Sequence, residues 1–334
     1  CDTDSRIASN GCETWAVDLD AGATPCTDAG APCVATKGLP FQLFLANDGT
    51  TAAEVTVTAG SGQTIKKSVA VGAVLTLNLP DSSWKGADGL PIGPLTQNGT
   101  GINPKVYRVQ SSHPLGVVQY KPLGDGKASA GATLLVGKNR LGLTYRVIGR
   151  AQDDPGLRSY VTLVAAHPGT TDVSIVVTCK TKAGPGVPGL APGQQQGFDL
   201  KQGQVLHVET DGIGADLTGT SIVADKPVAV FSGSVAARVP DTSRCVDGKC
   251  AGQGWTCKAD ADCPDTCCGD HLEAQLRPIQ DWDVTYVAAR FQPRGKAKDT
   301  WRIVAAEDGT VVATNPPQTP VPPLAKGKWF EFES

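Results

Sequence analysis

The chain has 334 residues, 40% hydrophobic and 19% charged, with a formal net charge of −3. That length supports two or three domains with buried cores, and the composition excludes a disordered chain. The charge balance gives no reason to invoke nucleic acid, and no apolar run approaches the ~18 residues of a membrane helix.

Residues 1–37 are rich in Cys, Asp and Ala and read as a disulfide-tied entry segment with one strand, Thr14-Trp-Ala-Val-Asp18. The chain contains no Met, so it reads as a processed or excised segment. Cys1 suits a lipid-modified N-terminus as well as plain excision. A first β module is expected over 38–131. Phe41, Leu43 and Leu45 alternate with polar residues, as do Val55 and Val57, which marks half-buried strands. Asn47-Asp-Gly-Thr50 is turn chemistry between them. Val74-Leu-Thr-Leu77, Val106-Tyr-Arg-Val109 and Leu115-Gly-Val-Val-Gln-Tyr120 supply further strands.

A second β module is expected over 132–240, and it repeats the first. Phe41 to Thr50 aligns with Val161 to Thr170, and Gly72 to Leu77 aligns with Gly203 to Val208. In the closing phrases Pro114 falls on Pro227, Leu115 on Val228 and Val117 on Val230. Pro at that place reads as a turn or an edge entry between two strands. After a disulfide-rich insertion over 241–270, a third module spans 271–334. Leu276 to Tyr286 repeats Leu135 to Tyr145, Trp301 to Thr310 repeats Val161 to Thr170, and Gly327 to Phe332 repeats Gly203 to Val208. No third closing phrase follows, so this module reads as incomplete, and Trp329 or Phe330 is expected to be covered. Asp270 to Leu276 alone suggests one or two helical turns. Internal self-similarity of this kind means tandem structural units. The class is all-β: tandem antiparallel β-sandwich-like modules, with a β-propeller-like arrangement as the alternative.

Ten of the 11 cysteines fall into two clusters, Cys1, Cys12, Cys26 and Cys33, and Cys245, Cys250, Cys257, Cys263, Cys267 and Cys268. Local clusters of this kind read as disulfide frameworks formed in an oxidising compartment. The second cluster lacks the paired spacing of a zinc ribbon, so bridges are expected there without metal. Cys179 shares parity with Val173, Ile175 and Val177 and is expected to be a buried free thiol. Asp260, Asp262, Asp265 and Asp270 carry oxygen ligands that would suit calcium, but their spacing is not that of an EF-hand loop, and solvated loop charges are expected. His113, His167, His207 and His271 are scattered. Glu273 beside His271 reads as a structural partner, not an acid–base dyad. No nucleophile elbow, dinucleotide loop or phosphate loop occurs. No catalytic residue or cofactor is expected.

Cys267-Cys-Gly-Asp-His-Leu-Glu-Ala-Gln-Leu-Arg-Pro278 resembles the signature of the IgGFc-binding protein N-terminal domain family, in which this phrase precedes a Tyr-bearing strand, here Tyr286. Trp15 to Asp20, Asp216-Leu-Thr-Gly-Thr220, Asp225 to Gly233 and Trp301 to Thr310 are similar to that family as well. The resemblance covers 11–334 and is to bacterial, myxobacterial-type members, which are large secreted or surface proteins. It implies an extracellular location and a module type and carries over no ligand residues. The expected function is a secreted or cell-surface, non-enzymatic binding or adhesion module for a protein or glycan. The alternative is a structural subunit of an extracellular filament or surface assembly, with homo-oligomers or a second chain covering the C-terminal edge.

Overall fold

The computed structural model describes residues 11–21, 27–28, 31–32, 40–122, 130–239, 245–246, 248–250, 256–259, 262–263, 269–290 and 298–334. The strands begin with β1 (Gly11–Ala16), β2 (Thr27–Asp28), β3 (Ala31–Pro32), β4 (Phe41–Ala46), β5 (Ala53–Ala59), β6 (Thr64–Val69), β7 (Val74–Leu79), β8 (Gly101–Asn103), β9 (Tyr107–Lys121) and β10 (Gly131–Leu134). They continue with β11 (Gly142–Arg146), β12 (Ser159–Ala165), β13 (Thr170–Val176), β14 (Gln195–Lys201), β15 (Val205–Glu209) and β16 (Ser221–Ala237). Then come β17 (Cys245–Val246), β18 (Lys249–Cys250), β19 (Asp270–Gln275), β20 (Thr300–Val304) and β21 (Trp329–Glu333). Among the described residues helical structure is limited to 3-10 turns, such as Lys138–Arg140 and Ile279–Asp281.

Each of the first two modules is an antiparallel sandwich wrapped around one long bent strand, and the propeller-like alternative is not adopted. Residues 107–111 of β9 pair with β5, and residues 116–120 pair with β4. β16 does the same with β13 and then β12. The closing phrases, expected as pairs of strands around a Pro turn, are therefore single strands. Pro114 and Pro227 sit where pairing passes from one sheet to the other and take part in no ladder pair, so the missing N–H costs nothing there. Strands that change sheets at a bend are how crossed sandwiches make their corners.

Alternation sets the core. Phe41, Leu43 and Leu45 of β4 face Val55 and Val57 of β5 across the first sandwich, and Val161 and Leu163 face Val173 and Ile175 in the second. The expected alignment of the first phrase is slipped by two residues. Leu45 opposes Leu75 and Val117, and Leu163 opposes Leu206 and Val230, so Leu45 is the counterpart of Leu163. A slip of two keeps every side chain on its face, which is why periodicity could not detect it. The alignment of the third phrase holds, since Ile303 opposes Phe330 as Leu163 opposes Leu206.

The sandwiches interlock. β10 follows the first module in sequence yet adds to β9, β19 adds to β16, and β8 crosses forward to pair with β15. β19 is thus a strand where one or two helical turns are expected; six residues gain more from extending a preformed sheet than from an isolated helical turn. β6 and β14, polar on most positions, lie at the free edges, where charge protects against further pairing. β12 and β15 are buried on both faces. One face closes the second core, and on the other Tyr160, Val164 and Val205 join the first core. β20 and β21 form a separate hairpin.

Candidate functional site

A cluster of titratable side chains lies in the seam where the two sandwiches meet. Tyr160 projects from β12 between two histidines, with ring centroids 5.3 Å from His207 and 6.4 Å from His271. Sequence spacing gave no hint that two of the four histidines converge; only the joining of β15 and β19 through β12 and β16 brings them together. Thr162 Oγ1 lies 2.7 Å from His207 Nδ1, and His207 Nε2 lies 3.6 Å from Glu209 Oε1. Glu209 accepts from the Gly99 N–H at 2.8 Å and from Arg158 at 3.2 Å. Burial acts to raise the Glu209 carboxyl, but His207, the Gly99 N–H and Arg158 outweigh it and hold it below its ordinary range.

The other side of the seam is the phrase that carries the family resemblance. On β19, His271, Glu273 and Gln275 share one face. His271 Nε2 lies 3.5 Å from Glu273 Oε2, Gln119 donates to Glu273 at 3.1 Å, and the Val136 N–H donates to Gln275 Oε1 at 2.7 Å. The Tyr160 hydroxyl donates to the Leu272 carbonyl at 2.9 Å. Burial, with Glu273 and Asp20 adding to it, raises the Tyr160 phenol well above its ordinary value and keeps it neutral. A Cβ on Gly131 would meet His271 Cδ2 at 2.3 Å, and one on Gly233 would meet the Leu272 carbonyl oxygen at 1.8 Å. The phrase is therefore the mortar of the seam. The His271 and Glu273 side chains themselves are 0% and 1% exposed, so the pair is closed off from solvent.

The cysteines of the 245–263 arm, singled out in the sequence, lie away from this seam. Cys245–Cys257 and Cys250–Cys263 are disulfides. The sulfurs of Cys250, Cys257 and Cys263 lie within 4.8 Å of one another, but each is consumed in one of these bridges, so none of the three is a thiolate. Cys12 is disulfide-bonded. Cys1, Cys26, Cys33, Cys267, Cys268, Asp260 and Asp265 lie outside the described residues. Cys179 is a buried free thiol in the second core, pushed up to about 12 by burial and by Asp216. Asp262 caps its own turn, accepting from the Lys258 and Ala259 N–H groups at 2.7 and 3.0 Å, and Asp270 accepts from the Ala130 N–H at 3.1 Å.

A second polar junction holds the β20–β21 hairpin. Arg302 donates to Asp216 at 2.8 Å, to Thr218 at 2.9 Å and to the Gly149 carbonyl, and Glu331 receives both Arg302 and Arg150. The Arg302 guanidinium stacks 4.0 Å over Trp329. Asp216 to Thr220, matched to the family by sequence alone, is thus the cradle for the next module. The expected cover over the hairpin aromatics is partial: Trp329 keeps 38% of its exposure and Phe330 is half-buried.

Disulfide-tied, tandem antiparallel β-sandwiches joined by buried polar side chains at their seams define a modular all-β protein. The family described as IgGFc binding protein matches residues 131–334, more than half of the chain, and the chain belongs to that family. The match starts at β10, so the similarity expected from residue 11 onward is found from residue 131 onward. Comparison with curated proteins and with solved structures finds no match. No helix among the described residues is long and apolar enough to cross a membrane.

Proposed function

We propose that the chain is a secreted or cell-surface, non-enzymatic binding and adhesion module of the bacterial type, with a protein or glycan ligand. Membership of a binding-protein family over 131–334 carries this reading. The two bridges of the 245–263 arm support an oxidising compartment. The burial of the seam residues supports a scaffold role for the groups that could otherwise do acid–base chemistry. The family description names IgG Fc, so immobilised Fc is the first ligand to test, beside a glycan array and extracellular matrix proteins. Saturable binding that disappears on unfolding is the expected result. A natively folded chain that binds nothing on these surfaces overturns the reading.

One observation favours the second reading, a subunit of an extracellular assembly. Trp15 and Arg146 hold equivalent places on β1 and β11, and each packs on the turn glycine of the following module. A Cβ on Gly203 would meet Trp15 at 3.8 Å, and one on Gly327 would meet Arg146 at 3.7 Å. Head-to-tail contacts of this kind extend indefinitely when they do not close. Sedimentation velocity at rising concentration separates the two: a constant monomer supports the binding module, and growing polymers support the assembly subunit.

A further inference from the structure

The sheet centred on β4 and the sheet centred on β12 each have a second face, turned away from their own core. In the first sandwich Asn78 of β7, Gln42 of β4 and Tyr120 of β9 lie side by side in one row of that face, and Thr76, Phe44 and Val118 form the next. In the second sandwich the same two rows are Glu209, Tyr160 and Gly233, then His207, Thr162 and Phe231. Those six are all buried in the seam. The six of the first sandwich all reach solvent: Thr76 and Asn78 are exposed, and Gln42, Phe44, Val118 and Tyr120 are half-buried.

The packing that closes the second face does not fit the first. β19 runs beside Gly233, where a Cβ would meet the Leu272 carbonyl oxygen at 1.8 Å and the Tyr160 hydroxyl at 2.8 Å. Tyr120 stands in that place in the first sandwich, so a neighbouring module cannot seat there in the same way. The composition differs to match. Glu209 and His207 give way to Asn78 and Thr76, and none of the six residues carries a charge at neutral pH. The Phe44 and Tyr120 rings lie 5.8 Å apart, tilted by 52°, and present an apolar surface beside polar groups. Gln42 Nε2 donates to Asn78 Oδ1 at 2.8 Å. That contact fixes both amides. It leaves the Gln42 carbonyl oxygen and the Asn78 amide N–H side by side, an acceptor and a donor with no other partner among the described residues.

We propose that this face, carried by β7, β4 and β9, is a binding site for a neutral saccharide that presents two adjacent hydroxyls. A sugar hydroxyl both donates and accepts, so a neighbouring pair satisfies the Gln42 oxygen and the Asn78 N–H together. The C–H face of a sugar ring is apolar with weakly positive hydrogens, which complements the negative faces of Phe44 and Tyr120. A charged ligand finds no counter-ion among the six residues, and desolvating its charge against the rings is unfavourable. β4 is laddered to β7 on one side and β9 on the other, so the site is held in place before the ligand arrives. A flat sheet covers only one side of the sugar, so the affinity of a single site is on the order of 1 mM, and repeated sites on a polymer supply the rest. The proposal rests on the binding-module reading above and names a ligand class and a place for it.

The probes are neutral oligosaccharides of glucose, mannose, galactose and N-acetylglucosamine, each titrated into the full chain by calorimetry. At least one should bind saturably, with a Kd that stays constant between about 50 and about 500 mM salt, because no charges pair. Tyr120→Ala should weaken that binding about 10-fold or more. Asn78→Ala should weaken it about 2- to 10-fold, the range for one hydrogen bond. Thr76→Arg, at an exposed position in the middle of the face, should abolish binding with the urea midpoint unchanged. Binding that survives Thr76→Arg, or that falls as salt rises, overturns the proposal. So does a chain that binds none of the four sugars. If that chain still binds Fc or a matrix protein, the binding-module reading stands and only this site falls; if it binds neither, both fall.

Discussion

Replacing Arg302 with Ala should release the β20–β21 hairpin while the two sandwiches stay folded. The side chain is only 10% exposed, and among the described residues it alone reaches Asp216, Thr218, the Gly149 carbonyl and Glu331 together. Removing one partner of a buried ion pair typically costs about 3–5 kcal/mol, because the remaining charge is stranded. Here Asp216 and Glu331 retain some contact with water, and Glu331 keeps Arg150, so about 2–3 kcal/mol is the expected loss. At about 1.4 kcal/mol per decade, that is a 30- to 150-fold loss of exchange protection in the hairpin. Hydrogen exchange with mass spectrometry, reading 300–304 and 329–333 against β12 and β15 as internal controls, measures it directly. Arg302→Lys should recover less than half of the loss, since an ammonium keeps the charge but not the fork. Unchanged protection of the hairpin in Arg302→Ala would refute the reasoning. An equal loss at β12 and β15 would refute it too, showing that the junction does not open on its own.

Lowering the pH should weaken the seam through Glu209. Its folded pKa is held below the ordinary carboxylate value of 4.5, so its contribution is complete above that value and is lost as pH falls through the folded pKa. The stability gap between wild type and Glu209→Gln should therefore shrink between about pH 6 and pH 3 in urea melts, and a gap that widens toward acid would contradict the assignment. Gly233→Ala should destabilise by about 1–3 kcal/mol or more, because the new methyl meets a backbone oxygen that cannot step aside; an unchanged urea midpoint would exclude that contact. Reduction, not chelation, should unfold the 245–263 arm, each bridge contributing about 2–4 kcal/mol; six free thiols or a bound zinc in the intact mass would sink this. Cys179 should react with a thiol reagent only at the rate of unfolding, and rapid labelling of the native chain would show that it is not buried.

The repeats, the all-β class, the inward faces of β4, β5, β12 and β13 and the burial of Cys179 were legible in the sequence, because a period of two and a repeated phrase are local properties of the chain. What local pattern could not carry was partnership. The two-residue slip of the first phrase leaves the periodicity untouched, so only the ladder of Leu45 with Leu75 and Val117 revealed it. β6, β10, β14 and β19 are short or polar, and they are strands because a neighbour offers an edge. His207 and Glu209 alternate with apolar residues as if they faced water, yet they are buried, because the outer face of β12 and β15 is covered by the preceding sandwich. His271 and Glu273 meet Tyr160 for the same reason. Residues more than a hundred positions apart are joined by sheet pairing, and the free energy that selects those pairings comes from apolar surface buried between modules, a quantity that does not exist until the chain has folded.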